Sequence, residues 1–171
     1  MKEETKLRSE LISNAIYRLD ESTRMIEKSL SLLKEEEIWK RPNQSSNSVG
    51  NQILHLCGNI GQYVISSLGN SPDIRERDKE FSTVSGLSKD ELLKRLKEVV
   101  DKAKKIIASS TKESLEHIRE VQGFSLSGVG IVLHAVEHYS YHTGQIAFWT
   151  KLLKDEDLGF YDGIDLNIKN E

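Results

Sequence analysis

The sequence predicts an all-α fold, a bundle of four long helices. Three observations carry that expectation. Apolar residues recur at three- and four-residue spacing through four stretches, capping residues stand where those stretches begin, and no alternation of strand length lies between them. The chain has 171 residues, the length of one domain, and its one cysteine, Cys57, rules out an internal disulfide framework and a four-cysteine zinc site.

The first helix is expected from about Lys6 to Lys34 on Leu7, Leu11, Ala15, Ile16, Leu19, Ile26, Leu30 and Leu33. It ends before Pro42, because Arg41, the residue before a proline, is biased out of the helical region. The second opens after Ser48, an N-cap, and reaches about Leu68, where Gly69 reads as the C-cap. The third opens at Ser88, with Glu91 completing a capping box, and runs to about Ser109 on Leu92, Leu96, Val99, Ala103 and Ile106. The fourth occupies roughly Ser127 to Leu153, its start weakened by Gly128 and Gly130. The link from Gly69 to Leu87, about 19 residues, is long enough to cross an end of the bundle or to cover a site.

The placement of charge is more informative than its total. The chain carries 24 Lys and Arg against 27 Asp and Glu, a formal net charge of -3, without the basic stripe of a nucleic-acid binder. Between Pro42 and Pro72 no residue is charged, and between Val121 and Thr150 the only charged residue is Glu137, where the chain average would place about 18 charges across the two stretches. Both stretches are rich in Ser, Asn, Gln and His, so they are expected to line a pocket or an interface rather than to face solvent. No apolar run is long enough to span a membrane, and the charged Met1 to Lys6 segment lacks the apolar core of a signal peptide. A cytoplasmic protein with a small-molecule substrate, no nucleic acid and no membrane partner is expected. A homodimer is expected as well, because the apolar face of the second helix and the aromatic surface of the fourth exceed the needs of one bundle seam.

On the second helix, Ser48, Gln52, Asn59, Gln62 and Ser66 fall within about 60° of His55, while Ile53, Cys57, Ile60, Val64 and Leu68 fall opposite. A neutral polar stripe of this length reads as the wall of a cleft or a subunit interface. The fourth helix carries His134, His138 and His142, spaced four apart on one face with a drift of about 40° per step. Neighbouring pairs can converge on one ion, or all three can be hydrogen-bonded core histidines; His134 and His142 are too far apart along the helix to share one centre. A further ligand has to come from another element, and His55 is the candidate. His117 lies in a charged block and reads as surface. Carboxylate ligands are scarce, which disfavours a di-iron site.

The helix-two segment Gly50-Asn-Gln-Ile-Leu-His55-Leu-Cys-Gly-Asn59, paired with His138-x3-His142-x-Gly144-Gln145, resembles the DinB/YfiT-like superfamily of metal-binding four-helix bundles. Trp39-Lys-Arg-Pro-Asn43, Ser46-Asn-Ser48, Pro72-Asp-Ile-Arg75, Glu80-Phe81, Glu137-His138 and Asp157-Leu-Gly-Phe-Tyr161 resemble, more narrowly, a bacterial branch labelled as a domain of unknown function. The resemblance spans nearly the whole chain. It implies a single DinB-like domain over residues 1–171, an up-down-down-up bundle, and a divalent metal, commonly nickel or zinc, held by His55, His138 and His142. The superfamily includes S-transferases that use a low-molecular-weight thiol and a thiol-dependent isomerase, alongside members without an assigned reaction.

Three neutral imidazoles leave a divalent ion its full charge and an open position, which suits thiol addition or hydrolysis. The expected function is a metal-dependent S-transferase that takes a low-molecular-weight thiol cosubstrate and an electrophile. A metal-dependent hydrolase and a non-catalytic metal- or ligand-binding stress-response protein are the alternatives. Gln145 and Glu137 are the candidate catalytic residues, Glu137 being able to orient a histidine, to act as a base, or to pair with Arg75 or Arg77. Asn59, Gln62 and Arg75 are the candidate cofactor-binding residues, with loop ion pairing the competing role for Arg75. Cys57 lies about 200° from His55 and is a poor candidate for a nucleophile.

Overall fold

The helix pattern resolves, in a computed structural model that describes residues 2–170 and side chains from Lys6 onward, into α1 (Lys2–Leu32), α3 (Val49–Ile60), α5 (Lys89–Ser109) and α7 (Gly128–Lys154). Three short helices join them: α2 (Glu35–Ile38), α4 (Arg77–Ser82) and α6 (Lys112–Glu116). The expected domain, 1–171, includes Met1 and Glu171, which lie outside the described residues. The expected caps form: Ser48, Ser88 and Ser127 accept from the backbone N–H of Asn51, Glu91 and Gly130, and the Glu91 carboxylate closes its box on Ser88 N at 2.8 Å.

Each of the four long helices packs on two neighbours, α1 and α3 both lying against α5 and α7. Contacts at the bundle ends fix their direction. Where α1 ends, Lys89 at the start of α5 donates to Leu33 O (3.0 Å), Trp39 Nε1 donates to Leu87 O (3.0 Å), and Lys154 at the end of α7 pairs with Glu37. At the other end Arg8 of α1 meets Ser110 just after α5, and Tyr63 after α3 donates to Gln122 at 3.0 Å. The order is therefore up, down, down, up, with the 69–87 link carrying the chain back along the bundle between two parallel helices. The core along these seams includes Leu19, Ile26, Ile53, Leu56, Leu92, Leu96 and Ile146, all buried, and Tyr139, whose hydroxyl bonds Thr23 Oγ1 at 2.8 Å. Among the described residues no helix is long and apolar enough to cross a membrane.

Two local features depart from the expectation. The second helix does continue to Leu68, but Gly61–Leu68 is π-helical, and the wider winding persists past its end in Gly69 N→Val64 O (2.8 Å) and Ser71 N→Ser66 O (3.1 Å). Such winding is rare and shifts the angular position of every later side chain. The second departure corrects the absence of strands. β1 (Ile118–Val121) and β2 (Phe124–Ser127) form an antiparallel hairpin in the register Val121↔Phe124 to Ile118↔Ser127. Its two turn residues, Gln122 and Gly123, both take positive φ (51° and 80°), which suits the right-handed twist of paired strands. Strands of four residues are too short to show alternation.

Candidate metal centre

His55 sits in the middle of α3, 7% exposed, and faces α7. His138 and His142 occupy successive turns of α7, and their rings meet that of His55: the three centroids are 4.9, 5.0 and 4.6 Å apart. One nitrogen from each ring comes within 4.8 Å of the others. His55 Nε2 and His138 Nε2 are 3.1 Å apart. Two imidazole nitrogens bound tetrahedrally at zinc distances would stand about 3.3 Å apart, so this pair is spaced as ligands are.

The carboxylate that orients His55 comes from a residue to which sequence alone assigned no role. Glu80, from the short helix α4, is 6% exposed and places Oε2 2.8 Å from His55 Nδ1. A carboxylate there accepts the Nδ1–H, which leaves the Nε2 lone pair directed at His138. Glu80 is itself clamped. Arg75 donates to Oε1 through Nε (2.7 Å) and to Oε2 through Nη2 (2.9 Å), and donates through Nη1 to Gln62 Oε1 (2.9 Å). Gln62 donates in turn to Asp73 at 2.7 Å. Burial alone would raise the Glu80 carboxyl, but the hydrogen bonds from Arg75 and His55 more than reverse this and hold it below its ordinary value. Asn51 of α3, fully buried, fixes the backbone behind it by donating to Glu80 O (2.9 Å) and Thr83 O (2.6 Å).

Gly58 makes the approach of this carboxylate possible. A Cβ at that position would overlap Glu80 Oε1 and stand 2.7 Å from Glu80 Cδ. The Gly69 to Leu87 link does therefore cover a site, and its covering element contributes Arg75 and Glu80.

Of the other residues singled out in the sequence, His134 stands beside the triad rather than in it. Its ring stacks on Tyr63 with centroids 4.0 Å apart, and its Nε2 lies 3.3 Å from Asn59 Nδ2. Asn59 is thus committed to His134, while Gln62 and Arg75, expected as cofactor-binding residues, are occupied in holding Glu80. Gln145 stands three residues along α7 from His142 and lines the cleft described below, and its side chain acts to raise the His142 imidazole against the effect of burial. Glu137 is exposed and pairs with neither Arg75 nor Arg77 among the described residues. Tyr141 is 63% exposed and meets His142 edge-on, while Gln145 and Trp149, further along the same helix, line that cleft. His117 is exposed at the end of α6. Cys57 is buried, and burial pushes its thiol up to about 12.

The electrostatics suit a cation. Burial and the neighbouring histidines push His138 down to about 3, and burial with His55 pushes His142 down to about 4, so both rings are neutral bases near pH 7. His138 Nδ1 and His142 Nδ1 are buried without a hydrogen-bond partner. Neutral imidazoles with unused lone pairs, one of them backed by a carboxylate, fit a divalent transition metal, and an all-nitrogen set suits zinc or nickel better than calcium or magnesium. A cleft of about 460 Å³ opens about one helical turn from the triad, lined by Gln52, three residues before His55, by Gln145, three residues after His142, by Phe148 and Trp149, and by the 42–47 loop.

Comparison with known proteins agrees with this fold. A family model described as protein of unknown function (DUF1572) matches residues 6–161. No curated protein matches the chain. Among solved structures, a conserved protein from Enterococcus faecalis superposes with a TM-score of 0.73 at 15% identity, covering 84% of this chain and 97% of that one. The DinB-like protein YjoA from Bacillus subtilis gives 0.65 at 16% identity, over 89% and 96% of the two chains. A mutant of a mycothiol-dependent maleylpyruvate isomerase gives 0.61 at 12% identity, over 79% of this chain and 60% of that one. At such identities the likeness is one of fold, and the fold is the DinB-like bundle.

Proposed function

We propose, for a chain that belongs to the DUF1572 family and folds as a DinB-like bundle, a divalent-metal-dependent enzyme that joins a low-molecular-weight thiol to a small electrophile. The observation that carries the reading is the convergence of His55, His138 and His142 about one turn from a neutral cleft that offers no thiol or other ionisable nucleophile. Cys57, the one thiol in the chain, is buried and protonated throughout the physiological range, so a reacting sulfur has to arrive as cosubstrate. The structural likeness to a mycothiol-dependent maleylpyruvate isomerase supports a thiol in that role.

A zinc or nickel ion held by the three imidazoles would supply Lewis acidity, favouring the deprotonated form of a thiol or of water near pH 7. The protein's own groups prepare the site for it. Glu80 fixes the tautomer and direction of His55, and Arg75 and Gln62 fix Glu80. In the transfer, the thiol gives its proton to solvent and its sulfur bonds to the electrophilic carbon, whose leaving group departs with the bonding pair. With water in place of the thiol the same site would hydrolyse its substrate.

Metal analysis of protein purified without an affinity tag should give one divalent ion per chain. His55→Ala, His138→Ala and His142→Ala should each reduce occupancy sharply, His134→Ala less, and His117→Ala not at all. Loaded protein is then assayed with bacillithiol, glutathione, cysteine and coenzyme A against alkylating electrophiles, and without thiol against esters and amides. Turnover that survives complete metal removal would refute the proposal. Full occupancy without turnover on any substrate would reassign the chain as a binding module.

A further inference from the structure

The histidines are not the only polar groups left without partners between α3 and α7. Among the described residues, the buried side-chain polar atoms that lack a hydrogen bond are Gln52 Oε1, Asn59 Oδ1, His138 Nδ1, His142 Nδ1 and Trp149 Nε1. Every one belongs to these two helices. Gln52 and Trp149 sit together at the end of the seam where both line the 460 Å³ cleft; Gln52 lies three residues before His55 on α3, and Gln145, which also lines the cleft, lies three residues after His142 on α7. Gln52 is 7% exposed and its amide makes no hydrogen bond among the described residues. Rotation of that amide about its last torsion therefore sacrifices no contact, and either its oxygen or its nitrogen can be presented to a guest. The Trp149 indole offers a donor and nothing else.

None of the residues lining the cleft ionises: its walls are Ser, Asn, Gln and Pro with Phe148, Trp149 and Leu152. A carboxylate or amidinium placed there would lose its hydration without meeting an opposite charge, whereas a neutral carbonyl or amide that turns the Gln52 amide and shifts the Trp149 ring, both polar atoms being covered in the free protein, could satisfy the orphaned donor and acceptor at once. The aromatic rings favour a flat guest.

We propose that this cleft is the subsite for the electrophilic substrate, and that it selects an uncharged, planar amide- or carbonyl-bearing group through Gln52 and the Trp149 indole N–H. The link to the reaction rests on the function proposed above; the binding preference stands on the cleft itself.

Benzamide, benzoate and benzamidine have nearly the same shape and differ in charge, so they isolate the claim. Each is titrated into nitrogen-15-labelled protein, with and without metal, while the indole N–H resonance of Trp149 is followed; Trp149→Phe identifies it by its disappearance. Benzamide should shift that resonance saturably, benzoate and benzamidine should bind at least about ten-fold more weakly, and Gln52→Leu should weaken benzamide about ten-fold. Circular dichroism checks that Gln52→Leu is folded, and calorimetry on Trp149→Phe gives a second measure of the lost donor. Either ion binding as well as benzamide, an unmoved Trp149 resonance at saturating benzamide, or unchanged affinity in both variants would overturn the proposal. Failure of benzamide with one metal per chain retained rejects the subsite alone. Benzamide binding that persists while His138→Ala keeps its full metal rejects the metal reading alone.

Discussion

Replacing Glu80 by Gln keeps the shape of the side chain and removes its charge, which separates two duties that the carboxylate performs at once. The Arg75 and Glu80 side chains are 4% and 8% exposed and share two short hydrogen bonds. The position of Oε2 receives donors from both Arg75 and His55, so an amide nitrogen placed there faces another donor, and an amide oxygen there leaves its nitrogen facing Arg75 Nε. Removing one member of a buried ion pair costs about 3–5 kcal/mol. Urea unfolding of the metal-free variant should show a loss of that order. The second duty is seen only with metal present. Loss of a carboxylate behind a ligating histidine lowers metal affinity about 10- to 100-fold. At a fixed free metal concentration well above either dissociation constant, the added stability conferred by the metal should therefore shrink by about 1.4–2.7 kcal/mol. Competition with a chromophoric chelator measures the same change directly, with the stoichiometry still one. Glu137→Gln, at an exposed position, should change neither quantity. If Glu80→Gln destabilised the metal-free protein but left metal affinity untouched, Glu80 would be a partner of Arg75 only, and the argument that it aims His55 would be wrong.

Gly58→Ala should act through the same carboxylate, since the added Cβ displaces Glu80; metal affinity should fall although a glycine-to-alanine change inside a helix normally stabilises by about 1 kcal/mol, and a plain gain in stability with unchanged affinity would contradict this. The Cys57 thiol, buried and pushed up to about 12, should resist alkylation at pH 8 until the chain unfolds, and a native-state reaction at the rate of a free thiol would show the burial to be misjudged. His138 and His142 titrate well below their unfolded value of 6.5, so between that value and about 3 to 4 the unfolded chain binds more protons than the folded one. Stability of the metal-free protein should accordingly fall as pH drops from 6.5 towards 4, read from urea midpoints, and a flat profile over that window would argue that these rings are already charged in the fold.

The long helices were legible because their apolar spacing and serine caps are local signals: Ser88 with Glu91 is read from four residues, and the structure builds the box as written. The histidines were legible for a related reason, their four-residue spacing on α7 and the neutral stripe around His55 both being properties of a single helix. Glu80 was not. It stands in Arg75-Glu-Arg-Asp-Lys-Glu80, a segment whose composition is that of a solvated surface, and its inward turn depends on Gly58 and Asn51, contributed by a different element. Glu137 gave the opposite impression, being isolated among uncharged residues and adjacent to a histidine, yet the angular step of a helix turns it outward. The resemblance included Pro72-Asp-Ile-Arg75 and Glu80-Phe81 without giving either a role, and the physical signal for the Glu80 contact was Gly58, a glycine inside a helix, where alanine would be the better residue unless something presses close. The π-helical turns after Ile60 and the Gln122-Gly123 turn of the hairpin each rest on a few backbone hydrogen bonds that no apolar period encodes.

The pair His138 and His142 lies within one helix, whereas His55 is 83 residues away from His138 in the chain. An unfolded chain that transiently coils α7 already possesses a two-nitrogen chelate, so metal is captured before the bundle exists and the ion's preference for the folded state is reduced by whatever it gains from that early complex. The complete set of three is available only after the last helix has docked against α3, a contact of high sequence separation that forms late. Metal supplied during refolding should thus slow the approach to the native state if it bridges the α7 pairs of two chains, whereas metal supplied afterwards finds its ligands arranged. The order of addition becomes a variable in any reconstitution of this protein.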